Sequence, residues 1–329
     1  MLISIAQLAG GFVLLVWAAD RLVAGASATA RNLGVSPLII GLTIVGFGTS
    51  APELVVSAVA SYKNNPGLAL GNAVGSNIAN LGLVLGLTAM VYPLRLESAA
   101  LKREYPLLLL IMLVCLFMLI DLHFSTLEGW TLLAGLILLV HWLVRLGLQR
   151  LPSDPLASEF EAEIPVNVPM KTAVFWLIVG LVVLPISSQF LVDGAVDIAR
   201  HLGVTDVVIG LTVVAFGTSL PELATAVTSA LRREHDLAIG NIIGSNMFNM
   251  LGVLGIAAAI RPVDAEPSLL IRDFPVMFLM TGVLFVLASD LGGPGRIGRR
   301  SGLLLFSMFI AYQAMVWLDI GGFIEVAKS

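Results

Sequence analysis

Ten apolar runs separated by short polar segments set the pattern of this 329-residue chain. Most of them come close to the 20 or so residues that a helix needs to cross a bilayer. The pattern predicts an all-α polytopic membrane protein. Its ten transmembrane helices are expected at about residues 6–24, 37–60, 68–91, 105–120, 127–146, 172–192, 205–230, 237–260, 274–289 and 302–319.

The second half of the chain repeats the first at an offset of 169 residues. Without gaps, residues 34–60 match 203–229 at 14 of 27 positions, and 71–86 match 240–255 at 9 of 16. Five helices per unit is an odd number, so the second unit should enter the membrane in the opposite sense. We therefore predict two inverted-topology repeats, 1–148 and 172–329, joined by a polar linker at 149–171.

The second predicted span contains residues that a plain membrane helix excludes, in the segment from Gly46 to Glu53, GFGTSAPE. Pro52 removes a backbone donor and loosens the helix before it. Unpaired backbone groups and the Glu53 carboxylate are tolerated at membrane depth only beside a protein-lined or water-filled cavity. The segment recurs from Ala215 to Glu222, AFGTSLPE, so two ion-binding segments are predicted.

A polar stripe follows each of these segments. Asn72, Ser76 and Asn80 are spaced by four residues and share one face of a regular helix, as do Asn241, Ser245 and Asn249. We expect both stripes to face the ion site, although such side chains also serve as hydrogen bonds between membrane helices. For the off-stripe Asn77 and Asn246 the two roles stay open.

The donor types in these four segments indicate a hard cation. Carboxylates, hydroxyls, amides and carbonyls all offer oxygen, the atom that Ca²⁺ prefers, and we expect Na⁺ to accept the same donors. Two ionised glutamates would balance one Ca²⁺ or more than one monovalent ion. Competition between those occupancies is a physical basis for antiport.

Charge sets the expected orientation and excludes several partners. The side that holds both termini carries five Lys and Arg, and the opposite side carries thirteen. The positive-inside rule then places the 149–171 linker in the cytoplasm and both termini outside the plasma (inner) membrane. No basic tract suggests nucleic acid, the single Cys115 excludes a disulfide framework, and neither a cofactor nor an obligate protein partner is expected.

At the paired GTS-x-PEL and GN-x-x-GSN-x-x-N segments the sequence resembles the sodium/calcium exchanger family of the calcium/cation antiporter superfamily. The resemblance implies alpha repeats at 41–86 and 210–255, and a site held by helices 2, 3, 7 and 8 while helices 1 and 6 slide past it. It also implies electrogenic exchange of Na⁺ for Ca²⁺, the two transported ions. The implied ligands are Glu53, Glu222, Thr49, Ser50, Thr218, Ser219, Ser76, Ser245, Asn80 and Asn249, with the carbonyls of Gly46 and Ala215 at flanking sodium sites.

The sequence departs from some relatives at the last position of each stripe. That position is acidic in the potassium-dependent branch, whereas here it is Asn80 or Asn249, which argues against potassium coupling. Exchange of H⁺ for Ca²⁺, or transport of another divalent cation, stays as the alternative.

Two other function classes compete with an antiporter. Paired intramembrane carboxylates also occur in aspartic proteases, but no nucleophile with a histidine base is evident here, so we expect no enzyme activity. A channel is the second rival, although inverted repeats with a midplane site suit alternating access better.

Overall fold

The computed structural model of the chain is described at residues 2–35, 37–62, 66–96, 101–148, 168–201, 215–288 and 295–326. Most of the predicted linker (149–167) and the start of the second alpha repeat (210–214) lie outside these residues. The α-helices are α1 Leu2–Leu33, α2 Pro37–Ile40, α3 Gly46–Thr49, α4 Ala51–Tyr62, α5 Pro66–Ala79, α6 Leu85–Val91, α7 Leu101–Met118, α8 Thr126–Leu148, α9 Met170–His201, α10 Ala215–Thr218, α11 Leu220–Leu231, α12 His235–Phe248, α13 Leu254–Ile260, α14 Phe274–Ala288 and α15 Arg299–Val326.

Every predicted span has helical residues where the structure describes it. Six helices in the described part of the chain are long and apolar enough to cross a membrane: Leu2–Leu33, Gly67–Val91, Thr126–Arg145, Met170–Phe190, His235–Ile260 and Leu269–Leu287. A seventh candidate is a pair, Gly41–Thr49 and Ala51–Tyr62, bent by 49°. The prediction of a helical membrane protein is therefore confirmed, and the break predicted before Glu53 is present.

Short π-helical segments interrupt two of these spans at equivalent positions of the two halves. Asn80–Val84 separates α5 from α6, and Asn249–Val253 separates α12 from α13. A π turn closes hydrogen bonds over five residues rather than four, so it changes the direction of the side chains around it. The regular helix assumed for the polar stripes is thus wrong at Asn80 and Asn249, where the π turns begin.

The two 32-residue helices α1 and α9 cross at glycines that permit backbone contact. A Cβ atom placed on Gly25 would lie 2.3 Å from the backbone N of Leu177, and one on Gly194 would lie 2.8 Å from the backbone N of Leu8. Gly25 and Gly194 are repeat equivalents, and so are Leu8 and Leu177. Exchanging the halves therefore turns one contact into the other.

Two short antiparallel strand pairs tie loops of the two halves together. Strand β1 (Leu94–Leu96) pairs with β4 (Gly295–Ile297), and β2 (His123–Phe124) pairs with β3 (Val263–Asp264). Nδ1 of His123 lies 2.6 Å from Oδ1 of Asp264. This hydrogen bond raises the pKa of His123 above its usual value.

Burial divides the spans into central and peripheral ones. The share of buried residues is 89% in His235–Ile260 and 78% in Gly67–Val91, but 22% in Thr126–Arg145 and 28% in Leu2–Leu33. The apolar core packs around the two central spans, with Ile78, Met247 and Met280 completely buried. These central spans carry the predicted polar stripes.

Candidate functional site

Glu53 and Glu222, one from each half of the chain, are buried on the two broken helices. Glu53 stands in the first turn of α4 and Glu222 in the first turn of α11, each directly after a proline. Both are 1% exposed, and Oε2 of each has no hydrogen-bond partner in the described part of the chain. The Ser50 hydroxyl donates to Oε1 of Glu222 over 3.3 Å, which links the two halves.

The prolines free one carbonyl four residues before them. Pro221 has no N–H, so it cannot donate to Gly217, and the hydroxyl of Ser188 on α9 donates to that carbonyl instead, at 2.8 Å. Pro52 leaves the carbonyl of Gly48 without its helical donor in the same way. Each proline thus deprives the carbonyl five residues before the glutamate of its helical donor, as expected from the sequence.

The carbonyl of Gly46 is not one of the freed groups. It accepts the backbone N–H of Ser50 at 3.1 Å and the hydroxyls of Thr49 and Ser245 at 3.3 and 3.4 Å. Gly46 therefore lies within a polar cluster, but its oxygen already has donors. Its expected role at a flanking sodium site would require one of them to turn away.

Thr49 joins the broken helix to the polar stripe of the other half. Its one hydroxyl proton is shared between the Gly46 carbonyl and Oδ1 of Asn241, which lies 3.1 Å away, and Oγ1 lies 3.2 Å from Oγ of Ser245. All three side chains are completely buried. The structure thus brings two predicted site residues, Thr49 and Ser245, into direct contact.

Buried asparagines form a second cluster around the starts of the π-helical segments. Nδ2 of Asn80 donates to Oδ1 of Asn246 at 3.0 Å, and Nδ2 of Asn77 donates to the carbonyl of Asn246 at 3.3 Å. The amide of Asn249 has no hydrogen-bond partner on either atom among the described residues. Each of these four asparagines is 1% exposed.

The other predicted positions also lie on the broken helices or the central spans. Ser76 is 6% exposed on α5, and Ser219 is 2% exposed between α10 and α11, with no partner for its hydroxyl in the described chain. Thr218 ends α10 and is half-buried, and Ala215 begins that helix. Asn72, at the start of the first stripe, donates to Oγ of Ser57 and to the carbonyl of Glu53.

These groups present oxygen in several chemical forms. Over the residues that the structure describes, no three His, Cys, Asp or Glu side chains cluster as metal ligands. The candidate site therefore combines the carboxylates of Glu53 and Glu222 with hydroxyls, amides and carbonyls. Such a mixed oxygen set suits Ca²⁺, which takes 6–8 oxygen ligands in flexible geometry.

Comparison with known proteins assigns the family. A model of the sodium/calcium exchanger protein family matches residues 3–150 and 172–318, which is most of both halves. The chain belongs to the sodium/calcium exchanger family. Transport rather than catalysis is the activity of this family, and the chain is accordingly a transmembrane cation antiporter of that class.

Relatives of this exchanger align over nearly its whole length. The protein CaxA of Alkalimonas amylolytica is 46% identical over 96% of the chain and 99% of its own length. Sodium/calcium exchanger MaX1 of Methanosarcina acetivorans is 30% identical over 93% of the chain and 96% of its own. Among solved structures, the sodium-calcium exchanger NCX_Mj superimposes with a TM-score of 0.83 at 33% identity, covering 96% of this chain and 99% of that one.

Sequence reasoning gave less weight to three side chains of the exchanger that the structure places in the polar interior. Asn241 accepts the hydroxyl of Thr49, Asn77 donates to the carbonyl of Asn246, and Asn246 accepts from Asn80. Asn77 and Asn246 occupy the same place in the repeated GSN motif, and that repetition was the available signal. Ser188 gave no signal, because its repeat equivalent is Ala19.

Proposed function

We propose that this protein exchanges Na⁺ for Ca²⁺ across the membrane. One observation carries the proposal: Glu53 and Glu222, a buried carboxylate on each broken helix, each keep an oxygen without a hydrogen-bond partner among the described residues. Burying a charge without compensation is costly, so a site of this kind needs a cation. Two negative charges match one Ca²⁺ or two or more Na⁺.

The proposed ligands are those expected from the sequence. Glu53 and Glu222 bind either ion at the centre. Thr49, Ser50, Thr218, Ser219, Ser76, Ser245, Asn80 and Asn249 supply the surrounding side-chain or backbone oxygens, and the carbonyls of Gly46 and Ala215 serve flanking sodium sites. The names of MaX1 and NCX_Mj, both sodium/calcium exchangers, support this choice of ions.

The proposed architecture is ten transmembrane helices in two inverted repeats, 1–148 and 172–329, with a cytoplasmic linker at 149–171. Both termini face outward, and the protein resides in the plasma membrane. The name of the E. coli relative YrbG, an inner membrane protein that is 42% identical, supports this location. The central spans hold the site while α1 and α9 slide past it, which exposes the ions to each side in turn.

More than two Na⁺ per Ca²⁺ would make the exchange electrogenic, and we propose that it is. Moving one net charge against the membrane potential costs about 2.3 kcal/mol per 100 mV. Calcium uptake should then respond to a potassium diffusion potential set with valinomycin. An electroneutral exchanger would be insensitive to it.

The deciding experiment is calcium uptake into proteoliposomes under outward gradients of Na⁺, K⁺ or H⁺, imposed in turn. We expect uptake with the Na⁺ gradient alone. Glu53→Gln and Glu222→Gln should each abolish it, because the amide removes a negative charge and places NH₂ where an oxygen is needed. Glu266→Gln, a change at an exposed loop acid, should leave uptake at the wild-type rate.

Other outcomes would redirect the proposal. Uptake driven by H⁺ alone would keep the site and replace the coupling ion. Calcium flux with no gradient of a counter-ion would indicate a channel. Absence of calcium flux under every gradient would contradict the proposal and point to another divalent cation.

A further inference from the structure

The four asparagines at the start of the π-helical segments differ in what their two amide atoms contact. Asn80 and Asn249 are proposed cation ligands, and Asn77 and Asn246 lie three residues before them. Nδ2 of Asn80 donates to Oδ1 of Asn246 at 3.0 Å, and Oδ1 of Asn80 has no partner among the described residues. The hydrogen bond thus occupies the donor end of Asn80 and leaves its acceptor end free.

A cation site needs its asparagine ligands held in one orientation, because a side-chain amide has two ends of similar shape and opposite polarity. The carbonyl oxygen attracts a cation, whereas the NH₂ group repels it. Packing alone distinguishes the two ends poorly, because they are nearly the same size. An acceptor placed behind the amide fixes the orientation, since the NH₂ group turns toward that acceptor.

The repeat predicts a second bond of the same kind. Shifting Asn80 and Asn246 by the 169-residue offset gives Asn249 and Asn77, so the equivalent bond runs from Nδ2 of Asn249 to Oδ1 of Asn77. That bond is absent: both atoms are buried and have no partner in the described part of the chain. Asn77 is nevertheless held, because its own Nδ2 donates to the carbonyl of Asn246 at 3.3 Å.

We propose that Asn246 and Asn77 are positioning residues, each of which accepts the amide N–H of the site asparagine from the opposite half. In the present structure the hydrogen bond to Asn246 leaves the carbonyl oxygen of Asn80 available to a cation. Asn77 does the same for Asn249 once a cation draws the Asn249 oxygen into the site. This inference rests on the proposed function, because it assumes that Asn80 and Asn249 bind the transported ions.

Two isosteric substitutions test the idea. Asn246→Leu removes the acceptor while keeping the volume, so the Asn80 amide is free to present NH₂ to the ion. The calcium KM should rise at least about fivefold, the range expected when a buried donor loses its partner, with little change in maximal rate. Asn246→Asp keeps an acceptor oxygen whether or not the carboxyl is ionised, and should restore a near-wild-type KM.

A crossed set of double variants separates positioning from packing. Asn246→Leu should have no further effect on cation affinity in an Asn80→Ala background, but should keep its full effect in an Asn249→Ala background. Asn77→Leu should show the reverse dependence. A residue that only packs helices together would weaken binding equally in both backgrounds.

Cation affinity is measured in two ways so that this inference and the proposed function fail separately. One readout is calcium uptake by proteoliposomes, and the other is the rise in thermal stability of detergent-solubilised protein on addition of Ca²⁺ or Na⁺. Equal effects in both backgrounds, with wild-type exchange intact, would overturn the positioning roles alone. If neither cation stabilised the wild-type protein and no flux were seen, the cation site and the positioning roles would both be wrong.

Discussion

At the scale of single residues, the two halves treat the carbonyl freed by proline differently. Gly217 receives a hydrogen bond from Ser188 at 2.8 Å, whereas the residue equivalent to Ser188 in the first half is Ala19, which has no side-chain donor. The carbonyl of Gly48 therefore lacks the matching bond. Both halves therefore keep the proline, but only the second half keeps a hydroxyl donor at this position of the preceding long helix.

Ser188→Ala should destabilise the protein more than Ser187→Ala. Loss of the Ser188 hydroxyl leaves the Gly217 carbonyl buried without a donor, at a cost of about 1–3 kcal/mol. The neighbouring Ser187 is a matched control, because it is also buried and its hydroxyl bonds within its own helix, to the carbonyl of Leu184. Thermal unfolding in detergent measures both, and equal shifts would show that the Ser188 bond contributes nothing special.

Residue types in the sequence predict which side chains form much of the candidate site. They do not predict which of these side chains hydrogen-bond to each other. A glutamate after proline inside an apolar run predicts a buried carboxylate beside a broken helix, and both Glu53 and Glu222 have this environment. The contact of Thr49 with Asn241 depends on how α3 crosses α12, which no local pattern encodes. The same is true of Asn246, whose partner Asn80 lies in the other half.

At the scale of elements, α1 and α9 pack against each other as the pair that slides past the central spans in the proposed mechanism. Their glycines bring the two backbones into close contact, so we expect the pair to move as one unit. Gly25 sits against the backbone of Leu177 in this crossing. Small residues at such positions are what allow membrane helices to approach closely.

Gly25→Val should block exchange without preventing insertion. Even the Cβ atom of the new side chain would fall 2.3 Å from a backbone nitrogen, so α1 and α9 must separate or shift. Gly10→Val on the same helix is the control, because a Cβ atom there meets no atom of the described residues within 4 Å. Calcium uptake by purified protein of normal size-exclusion profile measures the effect, and wild-type uptake by Gly25→Val would contradict it.

The sequence predicted where helices occur better than how they deviate from ideal geometry. Each apolar run contains helix because a buried backbone in lipid must satisfy its own hydrogen bonds. The π-helical segments at Asn80–Val84 and Asn249–Val253 were missed, since neither proline nor an unusual composition marks them. The strand pairs were missed as well, because two or three residues in a loop carry no periodic signal.

At the scale of the whole molecule, an ion pair links α1 to the end of α11. Nε of Arg232 donates to Oδ1 of Asp20 at 2.9 Å, and the two side chains are 41% and 38% exposed. The equivalent of Asp20 in the second half is the neutral Gln189. The pair is therefore one-sided, and under the proposed mechanism it favours the state in which α1 is docked on α11.

Asp20→Asn should shift the equilibrium between the two access states toward the state that lacks the pair. A partly exposed ion pair contributes about 0.2–1 kcal/mol, so the shift should be no more than about fivefold. The ratio of the calcium KM values at the two membrane faces measures it. The charge-swapped variant Asp20→Arg with Arg232→Asp should return the ratio toward wild type, and an unchanged ratio in Asp20→Asn would exclude a role for the pair.

The reciprocal crossing of α1 and α9 has a thermodynamic consequence. Gly25 against Leu177 becomes Gly194 against Leu8 when the halves are exchanged, so under the proposed alternating access this packing should favour neither facing state strongly. Any free-energy difference between those states then comes from residues that differ between the two repeats. One such residue is Ser188, whose equivalent in the first half is Ala19. If the two states have nearly equal free energies, the protein itself imposes little directional preference. The electrochemical gradients of the ions then decide the direction of exchange.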